Sequence, residues 1–189
     1  VSNLGQRSDL EEAARGQLGA LFEAALGAVD PTRCVGPHLP IVMPRGRIVV
    51  AGAGKAAAAM AHGVEVEARA TGWFERLGGV GITRYGHGVT CERITVAEAA
   101  HPVPDEAGLA ATERIRRMVE PLGENDLLIY LASGGGSALL TAPADGVSAL
   151  EKAEINRLLL HCGASIEEVN CVRKHISAIK GGRLAKIAA

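Results

Sequence analysis

Lys55 stands directly behind Gly52-Ala53-Gly54, and a second glycine run, Ser133-Gly134-Gly135-Gly136-Ser137, lies later in the chain. Each follows a short apolar run, Arg47-Ile48-Val49-Val50-Ala51 in the first case and Leu127-Leu128-Ile129-Tyr130-Leu131-Ala132 in the second. Glycine lets a backbone come close to an anion, and a helix opening behind the turn aims its free N–H groups at the same point. The two serines add hydroxyl donors. A lysine in the first turn of a helix opposes the helix dipole, a cost that an anion held between the ammonium and the helix end would offset. These residue types suit phosphate or carboxylate binding; the plainer reading is two tight turns with a solvated lysine.

Gly52-x-Gly54-x-x-Ala57 also matches a relaxed dinucleotide fingerprint. The acid expected at the end of the next strand is replaced by Thr83-Arg84, and Arg84 would suit a ribose phosphate, so a nicotinamide reductase stays open. A Walker A loop is excluded by spacing and by the missing Ser or Thr after Lys55. Two further loops belong to the same edge of a parallel sheet. One carries His87 between glycines; the other carries His101, stiffened by Pro102 and Pro104, with Asp105 as a helix N-cap. Near the end, Val169, Val172, Ile176 and Ile179 form an apolar stripe at helical spacing. Asn170, Arg173, Ser177 and Lys180 form a polar stripe beside it. That stripe reads either as a solvated face or as an anion-facing wall, with arginine suited to bidentate oxyanion recognition.

The elements that must hold these residues alternate. The pattern predicts a helix over 8–28, with Leu10, Ala14, Leu18, Leu21, Ala25 and Ala28 on one face, then strands at 47–51, 79–83, 94–98 and 127–132. Helices are predicted over 55–70, 105–119, 149–162 and 165–179. Near-continuous apolar strands between helices call for an α/β fold with a mostly parallel sheet covered on both faces. Open sheets of this kind bind ligands at the carboxyl ends of their strands, where both glycine turns fall.

Composition narrows the function classes. A net charge of −1 gives no bulk attraction to nucleic acid or membrane, and 3% aromatic residues offer few stacking platforms. No apolar stretch reaches membrane-spanning length and no signal peptide is apparent, so a cytoplasmic location is expected. Cys34, Cys91, Cys162 and Cys171 lack Cys-x-x-Cys spacing and read as free thiols.

Five motifs then occur in one order: Gly52-Ala-Gly-Lys55-Ala, Thr83-Arg-Tyr-Gly-His-Gly88, Glu98-Ala-Ala-His-Pro-Val-Pro-Asp105, Ser133-Gly-Gly-Gly-Ser137, and Asn170-Cys-Val-Arg-Lys-His175 with Lys180-Gly-Gly-Arg183. Together they resemble the glycerate 2-kinases, the class related to tartrate-utilisation proteins and often labelled hydroxypyruvate reductase. The resemblance runs from about Leu21 onward. It implies a Rossmann-like fold, ATP-dependent phosphorylation of D-glycerate to 2-phosphoglycerate with magnesium or another divalent metal, and a cleft shared with a second domain. It makes residues 1–189 an incomplete N-terminal α/β portion, expected to be inactive alone. By position it implies Lys55 as the active-site cation, and Gly52, Gly54, Ser133, Gly134, Gly135, Gly136 and Ser137 as a phosphate or substrate cradle. Asn170, Arg173, Lys174 and Lys180 follow as anion contacts. The metal ligands and the general base are not indicated. A nicotinamide-dependent hydroxypyruvate reductase and a non-catalytic anion-binding module remain the alternatives.

Overall fold

The computed structural model describes residues 2–189, with side chains described from residue 9 onward. Four strands, β1 (Ile48–Ala53), β2 (Leu77–Arg84), β3 (Ile94–Ala99) and β4 (Leu127–Ala132), form one sheet in the order β3-β2-β1-β4. Every pairing is parallel. Alternation along β1 sorts the core into two layers. Ile48 and Val50 face the helix α3 (Ala57–Thr71), meeting Ala61, Val64 and Ala68. Val49, Ala51 and Ala53 face the other way, toward Ala111, Ile115 and Val119 of α4 (Glu106–Val119). Both faces of the sheet are therefore covered, as the apolar strands require.

The chain runs from β1 out to β2 and β3, then crosses back through α4 to lay β4 on the far side of β1. The strand order reverses between β1 and β4, which makes a crevice at their carboxyl ends. Asp105 caps α4 as its type predicts, its Oδ1 accepting the Gly108 N–H at 2.9 Å.

Several boundaries differ from the sequence reading. The first helix, α1, spans Ser2–Ala28, and the face expected to seek a core is exposed at Leu10, Leu18 and Leu21. A short helix, α2 (Pro31–Cys34), follows it and packs on α3. Lys55 lies in the turn before α3 rather than in its first turn, with Ala56 as the N-cap. The run 133–137 opens only a single turn, α5 (Gly136–Leu139), so no long helix dipole stands behind it. The helices α6 (Ala149–His161) and α7 (Ile166–His175) both carry complete capping boxes, from Ser148 with Glu151 and from Ser165 with Glu168. The helix predicted to 179 stops at His175 instead. Beyond it the backbone leaves the helix to pair with the segment behind α5, through Ala144 N–H to Ile176 O, Ala178 N–H to Ala142 O and the Pro143–Ser177 bridge. A last helix, α8 (Arg183–Ile187), follows Gly181 and Gly182, both at positive φ.

Two glycines combine a positive φ with a backbone too close to its neighbours for any side chain. Gly54 has φ +138°, and a Cβ there would lie 2.1 Å from Ser133 Oγ. Gly135 has φ +88°, and a Cβ there would lie 2.7 Å from His101 Nε2. Gly54→Ala is expected to cost about 2 kcal/mol or more in urea unfolding, since it adds backbone strain to a clash. Gly123→Ala, which would meet nothing within 4 Å and has no positive φ, is the control and is expected to shift stability by about 0.5 kcal/mol or less. Equal effects of the two substitutions would refute the packing described for Gly54.

Candidate active site at the strand crossover

The two glycine turns are joined directly. The Lys55 N–H donates to Gly134 O at 2.8 Å, the Ala56 N–H to Ser133 Oγ at 3.1 Å, and the Ser133 N–H to Ala53 O at 3.3 Å. The Thr83 hydroxyl donates to Lys55 O at 3.2 Å, which ties the turn to β2 as well. Gly136 sits where a Cβ would lie 2.6 Å from Ala53 O, so the second turn is pressed against the end of β1. The shared site expected from the sequence thus has a common backbone frame. The amide donors of Lys55 and Ala56 are spent on that frame, whereas the N–H groups of Gly134 and Gly135 bond to no other group of the described residues.

Around the frame stand three basic side chains. Gly135 brings His101 and Lys55 together: its hypothetical Cβ would lie 3.6 Å from Lys55 Cε as well as against the imidazole. Burial lowers the His101 pKa, and the charges of Lys55 and Arg84 lower it further. His101 is thereby held neutral at pH 7, able to accept a proton or a hydrogen bond. The loop that carries it is fixed by Asp105. Burial pushes that carboxyl up, but hydrogen bonds from the Gly108 N–H, the Tyr85 hydroxyl and nearby backbone outweigh it and keep it ionised. Tyr85 reaches Asp105 Oδ2 at 2.8 Å and links the loop after β2 to the loop after β3. Glu98 accepts the N–H groups of His87 and Gly88, so His87 serves through its backbone in shaping this loop.

The remaining sequence candidates divide. Lys180 comes to the glycine turn: its Nζ donates to Leu140 O, and it lines a cavity of about 440 Å³ together with Gly136, Ser137, Gly181 and Gly182. Arg173, half-buried, is near enough to depress the Lys180 pKa, although the two no longer share a helix. Asn170 and Lys174 remain exposed on α7. The sequence reading missed Lys152 and Asn156, which are the buried residues of α6. Their i, i+4 spacing puts them on one face, but a lysine and an asparagine among leucines read as the solvent side.

A different group lies at the opposite end of the sheet, ahead of β3. His62, Glu65 and Cys91 place ligand atoms within 4.8 Å of one another, a set that suits a transition metal better than magnesium. Glu65 is already engaged, accepting N–H groups of Glu92, Arg93 and Ile94 at 2.7–2.9 Å. Burial and then Glu65 push the Cys91 thiol up to about 11. This cluster is separate from the glycine turns, and the Nδ1 of His62 is buried without a hydrogen-bond partner. All four cysteines are free, and among the described residues no helix is long and apolar enough to cross a membrane.

Comparison with known proteins gives the frame a lineage. Residues 17–189 match the family described as Domain of unknown function (DUF4147). A D-glycerate 2-kinase from Thermotoga maritima is 40% identical over 172 residues, covering 88% of this chain and 39% of that protein. A crystal structure of glycerate kinase from Thermotoga maritima superposes with a TM-score of 0.82 at 37% identity, covering 94% of this chain and 42% of that one. The chain belongs to the glycerate 2-kinase family. It spans about two fifths of the length of these relatives and corresponds to the family's N-terminal portion. A relative from Agrobacterium vitis that is 48% identical over 176 residues, covering 93% of this chain and 39% of that protein, carries a hydroxypyruvate reductase name, so family names alone divide between two chemistries.

The closeness of His101, Lys55 and Arg84 has a measurable consequence in a family member of this kind. Removing a nearby positive charge makes the imidazolium less unfavourable, so Lys55→Ala is expected to raise the His101 pKa toward its ordinary value of 6.5. NMR titration of the His101 Cε1–H resonance reads this. An unchanged midpoint would separate the two side chains.

Proposed function

We propose that this chain supplies one wall of a kinase site that transfers the terminal phosphoryl group of ATP to D-glycerate, giving 2-phosphoglycerate. The observation that supports the reading is the meeting of Lys55 and His101 at Gly135, with Arg84 close enough to act on His101, beside the unpaired amides of Gly134 and Gly135 at the strand crossover. Phosphoryl transfer asks little covalent work of a protein. It asks for alignment and for positive charge where negative charge develops. A lysine ammonium, an arginine and two amide N–H groups supply that charge on a rigid backbone. Gly52 and Gly54 keep the approach free of side chains, and the hydroxyls of Ser133 and Ser137 border it. Magnesium enters with the nucleotide as its counter-ion, held mainly by phosphate oxygens. Neutral His101 is placed to take the proton from the acceptor hydroxyl.

The reductase reading fares worse on one specific point. A dinucleotide pyrophosphate needs the N–H groups that open the helix behind Gly-x-Gly. In this chain the Lys55 and Ala56 N–H groups are already bonded to Gly134 O and Ser133 Oγ. Opening them would break the joint between the two turns.

The two reactions are separated by a coupled assay. The native protein is expected to release ADP from ATP, magnesium and D-glycerate, and to leave NADPH absorbance unchanged with hydroxypyruvate. Lys55→Ala is expected to lower kcat by about 100-fold or more, the size of effect seen when one group stabilising transition-state charge is removed. Its unfolding free energy is expected to change by about 0.5 kcal/mol or less, since Lys55 is exposed. Near-wild-type turnover would remove Lys55 from the mechanism. Residues 1–189 alone provide one wall and are expected to release no ADP, because a phosphoryl group in transit must be enclosed from water. Turnover equal to that of the native protein would place every catalytic group within this chain.

A further inference from the structure

Where α3 meets the start of β3, the packing turns polar. His62 and Glu65 stand three residues apart on one face of α3, and Glu65 is only 5% exposed. Cys91, half-buried, lies just ahead of β3. One ligand atom from each of the three lies within 4.8 Å of the other two.

Glu65 has a task of its own. Its Oε1 accepts the N–H groups of Arg93 and Ile94 at 2.7 and 2.8 Å, and its Oε2 accepts the Glu92 N–H at 2.9 Å. These bonds clip the start of β3 to α3. They leave two things unexplained. Every one of these donors is a neutral amide, and among the described residues no ion pair engages Glu65. A carboxylate is therefore buried without a counter-cation, which is costly. The Nδ1 of His62 is also buried and bonds to nothing among the described residues. An orphaned buried nitrogen carries its full desolvation cost.

A metal cation answers both. Oε2 of Glu65 accepts one N–H and keeps a lone pair free. An imidazole nitrogen, a thiolate and a carboxylate oxygen are all zinc ligands, and three of them leave the fourth tetrahedral position to water. Zinc bonds of about 2.0–2.3 Å set such ligand atoms roughly 3.3–3.8 Å apart. Modest rotations of His62 and Cys91 close a set within 4.8 Å onto one ion. The three backbone N–H groups hold the carboxylate in place, the outer support that ligating side chains need. Sulfur and imidazole favour a zinc-type ion over magnesium. Cys91 also lines an open groove of about 760 Å³ with Gly88, Thr90 and Thr95, so an ion can reach the sulfur from solvent.

We propose that His62, Glu65 and Cys91 bind a zinc-type divalent ion that ties α3 to the loop between β2 and β3. Cys91 binds as the thiolate, its proton passing to solvent. The ion fixes the far end of a loop whose near end is held by Glu98 through the N–H groups of His87 and Gly88. The site is independent of the kinase reading, whose residues lie at the other end of the sheet.

The test uses the native protein, treated with EDTA, desalted and titrated with Co²⁺. Thiolate ligation of Co²⁺ gives a charge-transfer band in the near ultraviolet. The band is expected to appear and saturate, Zn²⁺ to erase it, and a large excess of Mg²⁺ to leave it. Cys91→Ser is expected to remove it, and His62→Ala to weaken Co²⁺ binding about tenfold or more. Cys162→Ser, an exposed cysteine at the end of α6, is expected to leave it unchanged. Glu65 is kept, because its clip on β3 would be lost with it. A second measurement needs no variant and decides the matter where a variant fails to fold. Iodoacetamide labelling, mapped by peptide mass, is expected to slow about tenfold or more at Cys91 when Zn²⁺ replaces EDTA, and to stay unchanged at Cys162 and Cys171. No charge-transfer band, a band that survives Cys91→Ser, Co²⁺ binding unchanged by His62→Ala, or labelling of Cys91 indifferent to Zn²⁺ would overturn the site.

Discussion

The joint between the turn after β1 and the turn after β4 is the constraint on which the site depends. A bond from the Lys55 N–H to Gly134 O and another from the Ala56 N–H to Ser133 Oγ hold two segments almost eighty residues apart in sequence at one point. The joint exists because β4 lies beside β1, and β4 lies there because α4 carries the chain back across the sheet. It explains the glycines too. Gly54 and Gly136 are pressed against Ser133 and Ala53, and Gly135 is pressed against His101. The missing side chains let the two turns pack backbone on backbone, and they leave the N–H groups of Gly134 and Gly135 without a partner among the described residues.

Basic groups gather near that joint. Lys55 and Arg84 stand near the neutral His101, and Lys180 lines the cavity that touches Gly136 and Ser137, with Lys152 and Arg173 close enough to depress its pKa. A chain of net charge −1 has no general excess of base, so this concentration is local. Like charges held together in a partly buried place raise the free energy of the empty protein, and an incoming anion lowers it again. On the proposed kinase reading both substrates are anionic and repel one another, so each would need positive charge of its own.

Much of the fold was legible because its signals are local. Apolar strands, Asp105 as a cap and glycine runs behind strands all depend on a few neighbouring residues, and all appear where expected. The site was legible only in part. Lys55 and the run 133–137 could be paired because both follow strands of one parallel sheet. The route of the chain after His175 could not be read. The apolar spacing through Val172, Ile176 and Ile179 favours helix, and the competing bonds to Ala142 and Ala144 come from a segment more than thirty residues earlier. Arg173 and Lys180 still meet, but through a turn rather than along a stripe. Lys152 was invisible for a related reason: local polarity places a lysine outside, and only the fold shows what stands opposite it. The exposed leucines of α1 show the converse, a strong local pattern for which the described chain provides no buried face.

The two ways of using a Gly-x-Gly turn differ in where the amide donors go. In a dinucleotide site the helix start stays open and its N–H groups are kept for the pyrophosphate. In this chain the same donors bind the neighbouring turn, and the glycines serve close packing of backbone on backbone. On the proposed kinase reading, anion binding would fall to the second glycine run, which has only one helical turn behind it and so would draw on side-chain cations rather than on a helix dipole. Side-chain cations of this kind would, on that reading, meet a phosphoryl group whose charge shifts between donor and acceptor during transfer.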